Sequence, residues 1–371
     1  MYKRSTVIKA IAFVFAFASA PFAFAQSTVG SNAVTTAVPI LTVAPDARSA
    51  ALGDAGVALS PDANSPFWNP AKLGFVQNDL SVSFSYSPWL RNIVDDMSLS
   101  YLSGYKKLNE TSALSVSLLY FDLGEIQFID EQRNPIQDYN PKEYTISVAY
   151  GQALSENFSL GIGARFIHSN LAGNVNVGGS TQSFESEPGN TAAVDVGVYY
   201  NKDLGQKINL GLAGNISNIG GKISYTTKDE KDFLPTNLKL GTAVTYNLDA
   251  YNKLTLAIDA NKLLVPSPGA DSTQSVLSGI FTSFGDAEGG FSEELQEVNL
   301  STGVEYWYND LFAARAGYFY EHPEKGGRKY FSLGLGLRYQ KFGIDAAYLI
   351  PNDQNNPLAQ TLRFSIALNL E

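Results

Sequence analysis

Few residues in this sequence have the chemistry that catalysis or metal binding needs. The 371 residues contain no cysteine and only two histidines, His168 and His322, which lie far apart. Disulfides, thiolate zinc sites and cysteine nucleophiles are therefore excluded. The sequence also lacks a Gly-x-Ser-x-Gly elbow, a His-Glu-x-x-His motif and a phosphate loop. We expect a protein that is not an enzyme, with no cofactor or metal, in which His168 has a structural role.

The overall charge excludes another class of function. Charged residues make up 17% of the chain, whereas about a quarter is usual for a soluble domain. The formal net charge is -10 and the pI is about 4.8. Proteins that bind nucleic acid usually carry a basic stripe instead, so we expect no nucleic-acid partner.

The first 25 residues have the form of an export signal. Lys3, Arg4 and Lys9 precede an apolar run over 10–20, and Ala23-Phe24-Ala25 has the small-x-small pattern of a cleavage site. A membrane anchor is the alternative, but the run is shorter than the ~20 residues that a spanning helix needs. Removing 1–25 takes away three cations and no acids, so the mature charge becomes -10 minus 3, or -13.

From Leu80 onward, apolar residues recur at every second position. In the first such segment Leu80, Val82, Phe84 and Tyr86 alternate with serines, which is the period of a β-strand with one apolar face. The pattern repeats in about fourteen segments, with lengths close to the ~9–11 residues that a tilted strand needs to cross a bilayer. The sequence therefore predicts an all-β fold, a transmembrane antiparallel β-barrel over 79–371.

The opposite face of these strands separates a barrel from a soluble sandwich. It is rich in Ser, Thr, Gly and Ala, with single ionisable residues of both signs, and a solvated sandwich face is the alternative interpretation. We expect the charges to lie in a lumen, where neighbouring strands can pair them. The expected lumen residues are Arg165, Asp195, Lys239, Asp259, Glu305, Arg315, Arg338, Asp345 and Arg363.

The connections follow the same architecture. Short turn-like segments at 106–110, 151–156, 201–206, 248–252, 309–310 and 340–341 alternate with longer ones, as in outer-membrane barrels that have short periplasmic turns and long external loops. Residues 26–78 do not show the strand pattern. We call 26–78 the hatch segment and expect it to plug the barrel, with a disordered periplasmic extension as the alternative.

Motifs in the hatch segment carry a family resemblance. Asn69-Pro70-Ala71 resembles an element of FadL-like barrels, which have fourteen strands and an N-terminal hatch. More specifically, the run Val38 to Arg48, Gly53 to Gly56, Ser60 to Ala63 and Trp68 to Lys72 resembles the PorV group of the type IX secretion system, to which PorQ is related. The similarity extends over essentially the whole mature chain.

This resemblance implies an outer-membrane protein of a Gram-negative bacterium that takes part in protein secretion. It implies binding to a SprA-like translocon barrel, receipt of secreted cargo by its C-terminal signal domain, and delivery to a PorU-like sortase complex, with outer-membrane lipid around the barrel. The same resemblance implies that Asn69 and Pro70 belong to the hatch. The alternative function is a FadL-like channel for hydrophobic small molecules.

Apolar residues in the long loops are the candidates for contact with these partners. Apolar side chains on a barrel rim are costly in water and often mark an interface. We expect this role for Trp89, Leu90 and Ile93 in the first loop, Phe184 in the third, and Ile280 and Phe281 in the fifth. The alternative is that these residues fold back over the barrel mouth or form a small loop helix.

Overall fold

The computed structural model describes residues 32–90, 96–129, 135–171, 174–175, 184–185, 187–225, 231–271, 273–352 and 361–370. The predicted signal peptide over 1–25 therefore lies outside the described residues, as does Ile93. Within the described ranges, no helix has both the length and the apolar character to cross a membrane.

Fourteen strands form one closed barrel in which all neighbours are antiparallel. The wall consists of β1 (Leu80–Pro88), β2 (Ser98–Asn109), β3 (Ser112–Asp122), β6 (Lys142–Ala153), β7 (Phe158–Asn170), β10 (Gly189–Leu204), β11 (Ile208–Gly220), β12 (Asn237–Asn247), β13 (Asn252–Leu263), β14 (Asn299–Tyr308), β15 (Phe312–Tyr320), β16 (Lys329–Tyr339), β17 (Phe342–Pro351) and β18 (Leu362–Leu370). Two hairpins, β4 (Ile126–Ile129) with β5 (Pro135–Tyr139) and β8 (Asn174–Val175) with β9 (Phe184–Glu185), lie in the long connections.

The first and last wall strands close the barrel. β1 pairs with β18 over a register from Leu80↔Leu370 to Tyr86↔Phe364. Closure leaves no strand edge in the wall, which a bilayer requires because an unpaired backbone group there costs several kcal/mol. The fold class and the strand number expected from the sequence are confirmed.

The two-residue period divides each strand between the lipid and the lumen. In β1, Ser81, Ser83 and Ser85 are 1% exposed, whereas Val82 and Phe84 on the other face are 38% and 47% exposed. The apolar set therefore covers the outside of the barrel, where lipid replaces water as the solvent. The small polar set points inward, so the lumen has room for other chain segments.

The connections alternate between short and long, as expected. Several predicted turns are too wide, because strand pairing continues through polar residues at the ends of the strands: Lys106 and Lys107 still pair with Leu114 and Ala113. Likewise β6 extends to Ala153 and β10 to Leu204. The long connection at 264–298 contains two helices, Val276–Thr282 and Phe291–Gln296.

The hatch segment, described from Asn32 onward, fills the inside of the barrel. It contains helices Ala47–Ala50 and Ser65–Trp68 and 3-10 turns Pro39–Thr42 and Pro70–Phe75. Its alanines and leucines are almost all buried, for example Ala44, Ala47 and Leu52 at 0% exposure. Its backbone reaches the wall directly, since Ala47 N donates to Ser365 Oγ at 2.9 Å. The alanine-rich composition thus suits a segment that must pack inside a narrow space.

Candidate functional site

A ladder of ion pairs joins the hatch segment to one side of the barrel wall. Arg48 donates two hydrogen bonds to Glu305 on β14, with Nε to Oε2 at 3.0 Å and Nη2 to Oε1 at 2.9 Å. Arg315 Nε donates to the same carboxylate at 2.7 Å. Bidentate arginine–carboxylate pairs fix orientation as well as charge, so Arg48 sets where the hatch segment sits in the lumen.

The ladder continues across two more strands and ends with balanced charge. Arg315 Nη1 donates to Asp345 Oδ1 at 2.8 Å, and Arg338 holds both oxygens of Asp345, at 3.1 and 2.7 Å. At the hatch end, Arg48 also binds Asp62 at 3.0 Å. Three arginines and three carboxylates are therefore matched; the central members are buried, whereas Asp62 and Arg338 at the two ends are partly exposed. Pairing is the condition under which buried charge is tolerated.

A second set of wall residues holds the backbone of the hatch segment. Asp259 Oδ2 accepts hydrogen bonds from Gly56 N at 2.7 Å and Val57 N at 2.9 Å. Asn69 accepts from Ala71 N and donates to Val198 O, both at 2.9 Å, and thereby caps the 3-10 turn that begins at Pro70.

The wall itself is shaped for this contact. A Cβ on Gly161 would collide with the backbone of Pro70 and Ala71. Glycine on β7 therefore allows a backbone-to-wall distance that no other residue permits.

The other expected lumen residues also lie inside the barrel. Arg165 on β7 pairs with Asp195 on β10, and Asp195 also accepts from Asn218 N at 2.7 Å. Arg363 donates to Ala44 O of the hatch segment. Lys239 differs from these residues, because its Nζ lies over the ring of Trp68 at 4.4 Å and makes no ion pair in the described part of the chain.

The hatch segment has its own charged core, which the sequence did not reveal. Asp46 accepts from Trp68 Nε1 at 2.7 Å, and Lys72 Nζ donates to Gly56 O at 3.0 Å. Burial raises the pKa of Asp46, and the nearby Asp62 carboxylate adds to that rise. Burial lowers the pKa of Lys72 to about 8, although Asp62 opposes the shift.

The residues proposed for partner contact occupy unlike environments. Trp89 is half-buried and packs edge-to-face on Phe121, with ring centroids 5.7 Å apart. Leu90 is half-buried with a left-handed φ of 50°. Phe184 lies in the short strand β9, whose side chains are outside the described set. Ile280 is 9% exposed, whereas its neighbour Phe281 is 77% exposed.

The connection at 264–298 presents apolar side chains to solvent from both of its helices. Leu277, Phe281 and Phe284 follow the spacing of one helix face and are 64%, 77% and 53% exposed. On the second helix, Phe291 and Leu295 are 77% and 58% exposed. We call these five residues the loop face. Large exposed aromatic side chains at helical spacing are typical of a protein-binding surface.

Ion pairs hold the loop face in place. Lys262 at the end of β13 binds Glu294 at 2.8 Å and Glu297 at 2.6 Å, and Lys325 binds Glu293 at 2.5 Å and Glu297 at 3.0 Å. Burial by itself raises the pKa of Glu297, but hydrogen bonds from the two lysines outweigh it and the pKa falls below its ordinary value. The acidic side of the second helix is thus fixed to the barrel, and Phe291 and Leu295 point away.

The histidines and carboxylates do not form a reactive arrangement in the described part of the chain. His168 Nδ1 is hydrogen-bonded to Asn190 Oδ1 at 2.8 Å, and the ring stacks on Tyr144 with centroids 4.8 Å apart. Among the described residues, no three His, Asp or Glu side chains are grouped to hold a metal ion. The notable features of this molecule are therefore the filled lumen and the loop face.

Comparison with known proteins places this architecture in a family. The family model described as "Type IX secretion system protein PorV" matches residues 26–270, which is more than half of the chain. The comparison with curated proteins found no match.

Solved structures share the fold at low sequence identity. The toluene transporter TodX of P. putida has a TM-score of 0.52 and 11% identity, with 88% of this chain and 98% of that chain covered. A TodX deltaS2S3 mutant, a monoaromatic hydrocarbon channel, has a TM-score of 0.54 and 13% identity, covering 88% and 99%. The CymD monoaromatic hydrocarbon channel has a TM-score of 0.53 and 13% identity, covering 89% and 98%.

Proposed function

This chain belongs to the PorV family of outer-membrane components of type IX secretion, and we propose that it carries secreted proteins by binding their C-terminal signal domain. It would receive this cargo at a SprA-like translocon barrel and deliver it to a PorU-like sortase complex at the cell surface. Neither step needs bond chemistry in this chain. What the chain must supply is a rigid membrane anchor and a surface that binds protein.

The loop face is the observation that carries this proposal. It lies on a long connection, outside the membrane wall, where a folded domain has room to dock. Its aromatic side chains are solvent-exposed in the isolated chain, and covering one of them with a partner gains roughly 1.5–3 kcal/mol. Since lysine–carboxylate pairs fix the supporting helix, little ordering cost is added on binding. We assign the docking of the cargo signal domain to this surface.

Serine replacements of the loop face test the assignment. Replacing both Leu277 and Phe281 with serine should weaken co-purification of a cargo signal domain about 10- to 100-fold, given the area removed. Leu154→Ser is the matched control, because Leu154 is 60% exposed against 64% for Leu277 and lies in a short turn at the opposite end of the barrel. Normal cargo binding by the double variant contradicts the assignment, and loss of the translocon alone reassigns the loop face to that partner.

The second candidate function is passage of hydrophobic small molecules, which the fold shared with hydrocarbon channels favours. The paired charges that fill the lumen argue against an apolar conduit. Deletion of the gene separates the two functions. Cargo trapped in the periplasm supports the shuttle, and normal secretion with loss of uptake of a hydrophobic compound supports the channel.

A further inference from the structure

A cavity of about 340 Å³ lies inside the barrel between the hatch segment and the long connections. Its wall comes from the ends of the strands that adjoin the long connections, including Asn237 at the start of β12 and Leu263 at the end of β13. The hatch segment forms its floor through Asp54 and Trp68, and Trp89 lies at its rim. This volume is at the lower end of the range for small-molecule sites, ~300–1,000 Å³.

The unusual residue of this cavity is Lys239. Its side chain is 6% exposed and lines the cavity, yet among the described residues it makes neither an ion pair nor a hydrogen bond. Its ammonium group faces the rings of Trp68 at 4.4 Å and Phe67 at 5.6 Å. A cation over an aromatic ring regains part of what burial costs, but a buried charge without an anionic partner stays expensive.

Cations outnumber carboxylates among the residues that line the cavity. The lining contains three cations, Lys239, Arg328 and Arg363, and a single carboxylate, that of Asp54. Arg328 is paired with Glu321, to which its Nε and Nη2 donate at 2.8 Å, whereas Lys239 has no such partner in the described part of the chain. Asp54 accepts from Tyr330 at 2.6 Å but keeps its negative charge, because the phenol is neutral. A cationic pocket thus stands inside a chain whose formal net charge is -10. Such a pocket selects for an anion.

Neutral polar groups in the same lining indicate which further chemical groups the anion should carry. The carboxamide oxygens of Asn237 and Asn261 have no hydrogen-bond partner in the described part of the chain. Asn299 adds a third carboxamide at the same level of the wall. Carboxamides offer donors and acceptors to hydroxyl groups, and the half-buried Trp89 ring offers an apolar surface, whereas Trp68 is 2% exposed and lies beneath Lys239. A sugar ring has the matching pattern, with hydroxyl groups at its edge and C–H groups on its faces.

We propose that this cavity binds a hydroxylated organic acid of the acidic-sugar class, with the carboxylate on Lys239 and the ring against Trp89. A long-chain alkyl acid fits less well, because its tail would strip water from three carboxamides and return no hydrogen bonds. The proposal goes beyond the transport of cargo and does not rest on it. The site is enclosed by the lumen, whereas the loop face is on the outside.

Tryptophan fluorescence reports on this cavity directly. Two of the three tryptophans, Trp68 and Trp89, line it, and Trp307 stands among the ladder arginines instead. Titrating the purified full chain in detergent micelles with glucuronate should change the emission in a saturable way. Glucose, the neutral counterpart, should bind at least tenfold more weakly, as should decanoate.

Two substitutions test the role of charge. Lys239→Met should weaken glucuronate binding at least tenfold, while Lys253→Met, which alters an exposed lysine at the short-turn end, should leave it unchanged. Asn261→Asp adds negative charge to the lining without changing its shape, and it should weaken glucuronate but not glucose, even if Lys239→Met folds poorly. The proposal is overturned if glucuronate gives no saturable change, if glucose or decanoate binds as well, or if a peptide carboxylate is preferred.

Discussion

The two ends of the lumen solve the problem of buried charge in opposite ways. Near the short turns, direct pairs match three arginines with three carboxylates: Arg48, Arg315 and Arg338 with Asp62, Glu305 and Asp345. Near the long connections, Lys239 makes no direct ion pair among the described residues and lies over the Trp68 ring, beside a cavity.

The difference separates two tasks. At the paired end the chain itself supplies both members of each ion pair, so no outside partner is needed. A buried cation without an anionic partner can gain free energy when a ligand binds to it from outside. The exposed loop face belongs to the same open end, so the paired charges and the two proposed binding surfaces lie at opposite ends of the barrel.

The largest expected loss of stability comes from removing an arginine of the ladder. Arg48→Ala leaves the buried Glu305 with one arginine and Asp62 with none, and losing one partner of a buried pair costs about 3–5 kcal/mol. The thermal transition of the purified barrel, followed by heat-dependent mobility on gels, should fall markedly. Lys253→Ala is the control, because it removes the exposed pair with Asp310 and costs at most ~1 kcal/mol. Equal shifts of the thermal transition in the two variants contradict the stabilising role of the ladder.

A smaller effect is expected where the hatch segment touches the wall. Gly161→Ala places a Cβ against the backbone of Pro70 and Ala71, and forced overpacking of this kind costs about 1–3 kcal/mol. Gly285→Ala is the matched change, since no atom lies within 4 Å of the Cβ it adds. The same thermal measurement should separate the two variants. If Gly161→Ala is as stable as the control, the hatch segment is not held against β7 in the membrane.

The smallest effect concerns pH at the open end. The pKa of Glu297 is held below its ordinary value of 4.5 by the two lysines, so its stabilisation is fully present above 4.5 and is lost as the pH falls through the lowered pKa of the folded protein. Because Glu294 and Glu293 still pair with the same lysines when Glu297 is protonated, we expect a loss of only ~1 kcal/mol, or roughly fivefold faster hydrogen exchange in 264–298 at pH 4 than at pH 7 after correction for the intrinsic rates. Glu297→Gln should remove this pH dependence. A variant that keeps it points to another group.

The wall of the barrel was predictable from the sequence because its cause is periodic. Each strand needs an apolar residue at every second position to face lipid, and that alternation is visible without any structure. The same period assigned the inward side to Glu305, Arg315 and Asp345. Sequence alone did not show their partners, since pairing depends on which residues the register brings side by side. Glu305 and Arg315 are ten residues apart, yet they are direct neighbours in the register.

The hatch segment and the loop face were less predictable, because neither is periodic over a long stretch. Arg48 was visible as the single cation in an alanine-rich run, but nothing in that run indicates that it reaches β14. Ile280 and Phe281 were predicted together as rim residues, but the rotation of about 100° between successive helix residues leaves Ile280 buried and Phe281 exposed. Hydrophobicity identifies such residues, but only the helix phase determines which of them is accessible.

Closure of the barrel between its first and last strands has a consequence for biogenesis. The hatch segment is synthesised before any wall strand, yet Ala44 and Ala47 bond to β18, with 318 residues between Ala47 and Ser365. The hatch segment must therefore wait, without its final partners, until the last strand is inserted. Contacts so distant along the chain form slowly. The hatch segment therefore completes its contacts with the wall only when β18, the strand that closes the barrel against β1, is present.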